Sequence, residues 1–171
     1  MGEPTNDAKK FRKSFEITYE DFFLARFMPM LGCIKKFMSE FGEDRALSLV
    51  TEYIDELAVE QTQNTIQDIN IENFAQFKIM LMKILNTEFM RNCTSYQVIE
   101  DTESQFKLRF TKCLWAKTFT ELKFDGEKGH RTACRAYYTI TSGLSPNVKL
   151  SRTKTLMQGD ECCELCYKWE K

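Results

Sequence analysis

VKLSRTKTLMQGDECCELCYKW, residues 148–169, is the stretch whose reading decides the fold. From Cys162 to Trp169 the side chains alternate: Cys163, Leu165, Tyr167 and Trp169 fall on one face, and Cys162, Glu164, Cys166 and Lys168 on the other. A period of two marks a strand with one buried face, here the face of Cys163. Val148–Met157 precedes it, and Gln158-Gly159-Asp160 between the two runs carries turn chemistry, so residues 148–169 predict a closing antiparallel hairpin. The same period recurs upstream. Tyr96 and Val98, then Phe106, Leu108 and Phe110, flank the turn signal Asp101-Thr102-Glu103-Ser104, predicting a second hairpin with one wet face.

Ahead of these strands the period changes. Phe23, Phe27, Met30/Leu31, Ile34, Phe37/Met38 and Phe41 recur at three- and four-residue steps, the stripe of a helix. Thr18 with Asp21 suits its start and Gly42 its stop, while Pro29 is expected to kink or split it. A second stripe runs through Ala46, Leu49/Val50, Tyr53/Ile54, Leu57 and Ala58. A third runs through Phe74, Phe77, Leu81 and Leu85, with Asn70 as a candidate cap and a polar connection at 61–70. Cys113–Leu122 reads either way, Phe124–Gly129 reads as a loop, and His130–Ser142 has helical spacing. The fold class expected is α+β: N-terminal helices packed on an antiparallel sheet, with one helix inserted between strands. One domain of 1–171 divides into a polar, flexible arm at 1–13, a mainly helical part at 14–90 and a sheet-rich part at 91–171.

Composition narrows the function. At 43% hydrophobic residues with 14 Phe there is ample core material, so global disorder is excluded. Charge nearly cancels, with 24 Lys+Arg against 25 Asp+Glu, which lowers the rank of nucleic-acid binding. No transmembrane run or signal-peptide core is present, so no membrane association and a soluble, cytoplasmic protein are expected. In that setting the seven cysteines read as reduced thiols, metal ligands or nucleophiles, five of them from Cys113 onward.

Cys162-Cys163-x-x-Cys166 suggests a metal site, but on an unbroken strand Cys162 and Cys166 lie roughly 13 Å apart. Bonds of about 2.3 Å to one zinc cannot reach both. A site would need Cys163 with Cys113 and Cys134, and buried thiols are the simpler reading, so neither metal nor cofactor is assigned. His130, the single histidine, would stand at i, i+4 to Cys134 on one helix, a pairing able to make a thiolate nucleophile; an exposed His at a helix start is the plainer alternative. No Ser/His/Asp triad or glycine-rich phosphate loop can be assigned. On a strand Arg152 and Lys154 share a face with Val148, Leu150 and Leu156. Cations there want an internal carboxylate or an anionic ligand, unless that face is the solvated one. The Phe/Met stripe of the first helix reads as core, with a ligand pocket or a homo-oligomer face as alternatives.

Several of these stretches carry a family likeness. CLWAKTF at 113–119, Cys134, Leu-Ser-Pro-Asn147, and RTKTLMQGD at 152–160 with Cys163 and Tyr167 resemble the L-2-amino-thiazoline-4-carboxylic acid hydrolase family over roughly residues 90–170. The element order is similar to 4-vinyl-reductase-type small-molecule-binding domains. The resemblance implies a hydrolase that opens a cyclic thiazoline to N-carbamoyl-cysteine. Cys134 would be the nucleophile or its orienter, with Cys163, Cys113 and His130 beside it, and Arg152 would clamp the substrate carboxylate, joined by Tyr137 and Lys154. Three positions depart from the family pattern: Lys112 stands where Glu is usual, Tyr137 where Asp is usual, and Glu164-Leu165 where Asn-His is usual. Tyr137, Tyr138, His130 and Glu164 are the substitutes at hand for acid–base work. Three hypotheses follow: a divergent enzyme hydrolysing a C–N or C–S bond in a small carboxylated substrate; a non-catalytic protein binding a metal or small molecule on the same fold; or a protein-interaction module acting through the helical half.

Overall fold

In the computed structural model, which describes residues 17–65 and 71–170, the chain runs helix, sheet, helix, sheet. The expected arm at 1–13 and the candidate cap Asn70 lie outside the described residues. Helix α1 spans Tyr19–Phe41 and α2 Glu43–Thr65; α3 (Phe74–Leu85) and the short α4 (Glu88–Cys93) lead into β1 (Thr94–Asp101) and β2 (Gln105–Cys113). Three helices follow, α5 (Leu114–Glu121), α6 (Gly126–Thr132) and α7 (Ala136–Leu144), before β3 (Val148–Lys154) and β4 (Cys163–Trp169). The sheet is wholly antiparallel in the order β1-β2-β4-β3, so the two hairpins meet where β2 pairs β4. The α+β expectation holds, with three inserted helices in place of one. Among the described residues no helix is long and apolar enough to cross a membrane.

Local chemistry accounts for the helix ends. The Thr18 hydroxyl accepts the Asp21 N–H at 3.1 Å and donates to the Asp21 carboxylate at 2.6 Å, satisfying an orphan donor of the first turn. Gly42 ends α1 at φ 83°, a backbone region that costs a side chain, and its N–H reaches back to the Met38 carbonyl. Between them α1 is one unbroken helix across Pro29, not two. Asn73 caps α3 by accepting from the Gln76 N–H at 3.0 Å.

Two further readings are corrected. On α2 the buried stripe passes through Ala46, Leu47 and Ala58; Leu49 is 44% exposed and Tyr53 62%, so the stripe is rotated from the one expected. Residues 126–129 open α6, where Asp125 caps by accepting the Lys128 N–H, and the helical run expected at 130–142 breaks at Ala133–Arg135. Gly126 and Gly129 are required there by packing, because a Cβ would sit 2.3 Å from the Met157 carbonyl oxygen and 2.7 Å from the Met157 sulfur respectively.

Two apolar clusters result. One joins the inner sheet face (Phe106, Leu108, Phe110, Leu165, Tyr167) to α3 and α7; the other joins α1 (Phe23, Phe27, Leu31, Ile34) to Leu47 and α5. Leu156 packs against both, from a short 3-10 turn at Leu156–Gln158 between β3 and β4.

Candidate functional site

RTKTLMQGD folds as the end of β3 and a tight return. Thr155 donates its N–H to an Asp160 carboxylate oxygen at 2.7 Å, and Gly159 takes the left-handed conformation at φ 96°. That return sets Leu156 N–H against the Cys163 sulfur at 3.2 Å and brings the Cys163 thiol to 3.8 Å from the buried Thr155 hydroxyl. Cys163 thus lies on the inner face, as alternation predicts. Cys162, expected on the opposite face, is 4% exposed and buried as well; it precedes β4, so the strand's alternation does not govern it.

Cys134 sits in the turn between α6 and α7, and its thiol meets the Arg152 guanidinium and the Thr155 hydroxyl. Cys113 stands at the head of α5. Its thiol is pushed up to about 12 by burial, against the pull of the Ala116 and Trp115 amides, and it lies within electrostatic reach of Cys134 and Cys163. Burial raises the Cys134 thiol too, partly offset by the Arg152 charge. At neutral pH both are thiols, not thiolates. Among the described residues no three Cys, His, Asp or Glu side chains are arranged to hold a metal ion.

Arg152 is the centre of the arrangement. Its guanidinium carbon lies 4.7 Å from the Tyr137 ring centre and 5.6 Å from that of Tyr138, within cation–π range. Its Nε is buried without a hydrogen-bond partner. Desolvation depresses its affinity for a proton, but the surrounding thiols and Tyr137 outweigh that, so it stays cationic. The Tyr137 and Tyr167 hydroxyls lie deep beside it, and burial raises both above the ordinary tyrosine range.

The remaining residues named from sequence separate clearly. A β-bulge between Arg152 and Lys154 breaks the alternation, so Lys154 turns to the outer sheet face beside Glu164 and pairs with Glu161 at 2.7 Å. It does not join Arg152. Glu164 lies on that outer face too, bound to Arg109 at 2.7 Å and Thr153 at 3.1 Å, and Leu165 is core. His130 lies in the last turn of α6 and Cys134 in the turn beyond that helix, so the i, i+4 pairing within one helix is not formed. Its Nδ1 is buried without a partner, and burial, then the Arg152 charge, hold its pKa below the ordinary value.

A groove of about 1110 Å³ opens beside this cluster, with Ser48, Thr51 and Val59 of α2 on one wall and His130, Arg131 and Tyr138 on the other. Sequence reading missed the α2 wall and Thr155. The polar residues of the second helix were a usable signal for the wall; nothing in the strand pattern singles out Thr155.

A sequence model described as L-2-amino-thiazoline-4-carboxylic acid hydrolase matches residues 23–167, reaching well beyond the 90–170 resemblance into the helical half. No curated protein matches the chain. Among solved structures, the phenol-responsive sensory domain of the transcription activator PoxR, crystallised with phenol, is similar with a TM-score of 0.54. The identity is 10%, over 83% of this chain and 73% of that one, a likeness of fold alone.

Proposed function

Because the chain belongs to the L-2-amino-thiazoline-4-carboxylic acid hydrolase family, we propose that it hydrolyses a C–N or C–S bond in a small carboxylated substrate held at Arg152. The observation that carries this is the guanidinium itself: among the described residues it has no carboxylate partner, its Nε is orphaned, and it rests on two aromatic rings beside a thiol. A carboxylate is the group that such a cation takes. With the family substrate, water adds at the ring carbon between nitrogen and sulfur, the C–S bond breaks, and the sulfur takes a proton, giving N-carbamoyl-cysteine. Cys134, touching the same guanidinium, is the nucleophile or the group that orients the water. His130, with its lowered pKa, is the neutral base at hand near pH 7. Cys113 and Cys163 support the pocket, and Tyr137 holds the guanidinium. Seven thiols without disulfides suit a reducing, cytoplasmic setting.

The test is incubation with L-2-amino-thiazoline-4-carboxylate, followed by mass spectrometry. N-carbamoyl-cysteine formed by the parent and lost in Cys134→Ser and Arg152→Gln supports the reading; equal turnover in Arg152→Gln refutes the anchor. A second reading, binding without turnover, is favoured by Glu164 being turned to the outer sheet face, by Leu165 offering only an apolar side chain beside Cys163, and by the likeness of fold to a phenol-responsive sensory domain. Calorimetric binding of the thiazoline or of phenol, with no product formed, would select it.

A further inference from the structure

We infer that the groove walled by α2 and by α6–α7 is the way into the Arg152 cluster, with the Tyr138 ring as its inner gate, and that it admits a monocarboxylate with a neutral or cationic tail while turning dicarboxylates away. The selectivity rests on the reading of Arg152 as the carboxylate anchor; the route does not.

Two of the residues that line the groove are those in reach of the guanidinium. The Tyr138 ring lies 5.6 Å from it, and His130 feels its charge. The two buried atoms left without partners here, Arg152 Nε and His130 Nδ1, therefore belong to the inner end of one opening. At 1110 Å³ the groove exceeds what a small molecule needs, so a ligand anchored at Arg152 has room for a tail along α2. That wall is acidic. Asp55 is occupied by Arg135 at 3.1 Å, whereas Glu52, Glu56 and Glu60 line the groove and form no ion pair among the described residues. At i, i+4 and i+8 they span about 12 Å of the helix, so a second carboxylate would lie along like charge and a cationic tail along opposite charge.

Native-state alkylation reads the route without any substrate. Tyr138→Ala is expected to speed iodoacetamide labelling of Cys134 by about tenfold, as gating of a buried thiol implies. Adding Val59→Trp, which fills the groove from the α2 wall, should return the rate toward the parent's, and Cys93, buried in the same apolar cluster but not on the groove, should not change in either. Equal acceleration of Cys93, or no effect of Val59→Trp, overturns the route. Should Tyr138→Ala not fold, Val59→Trp alone must slow Cys134 relative to the exposed Cys33. For selectivity, replacing Glu52, Glu56 and Glu60 by Gln should raise the iodoacetate-to-iodoacetamide labelling ratio at Cys134 about threefold; an unchanged ratio overturns that part. A gate effect without thiazoline binding leaves the route standing and removes the anchor, so the two failures are distinguishable.

Discussion

Burial and the Arg152 charge act on the Cys134 thiol in opposite senses, and burial wins. Native alkylation of Cys134 should therefore keep accelerating above pH 9, and Arg152→Gln should shift that profile further upward, measurable by mass spectrometry across pH. Stability carries the same chemistry. The unfolded chain releases the Cys113 proton near 9.0, while the folded chain holds it to about 12, so stability falls as pH rises through that window. The expected slope is at most about 1.4 kcal/mol per pH unit from this group, and Cys113→Ala should flatten it in urea titrations. His130 works at the other end. Its folded pKa is lowered, so the unfolded chain binds the extra proton first, stability drops as pH falls below 6.5, and His130→Gln should remove that loss.

At the scale of elements, the rotated stripe of α2 is the sharpest test. Leu47 has no exposed surface, so Leu47→Ala should cost about 2–5 kcal/mol, whereas Leu49→Ala, 44% exposed, should cost less than about 1 kcal/mol; chemical denaturation separates them. Sequence reading misplaced this stripe because apolar residues occupy both faces of α2, leaving the period ambiguous. The first and third helices were legible because their buried positions (Phe23, Phe27, Leu31, Ile34 and Phe74, Phe77, Leu81, Leu85) stand at clean helical steps. The inner faces of β2 and β4 were legible for the equivalent reason at period two, although Val98, paired with Leu108, is 45% exposed on the edge strand. Short helices hid: α6 opens on Gly126 and contains Gly129, which sequence rules read as a loop and the structure requires for close approach to Met157 and Phe119. The bulge that turns Lys154 outward hid as well, since alternation carries no mark of an inserted residue.

Across the whole molecule, the candidate site was half legible. Cys113, Cys134, Cys163, Tyr137 and Arg152 were named from sequence and lie near one another, four of them from the stretches that carry the family resemblance and Tyr137 from a position that departs from it. The aromatic bed under Arg152 was not, because cation–π contact depends on where α7 crosses β3, a tertiary fact. The groove likewise exists only where α2 lies along α6 and α7, fastened by Lys128–Glu43 at 2.7 Å and by the Thr51 hydroxyl donating to the Arg131 carbonyl.

The nine residues from Arg152 to Asp160 hold both the proposed carboxylate anchor, Arg152, and Leu156, the side chain that touches the two apolar clusters. On the proposed reading, a ligand held at Arg152 is coupled through this segment to the seam between the two clusters. A saturating ligand should raise the melting temperature of the sheet and of the helical half together, by a mass-action gain of about 2.7 kcal/mol at a hundredfold excess over Kd. With Leu156→Ala the same ligand should still protect the sheet, yet leave hydrogen exchange in α1 nearly as fast as in the empty protein.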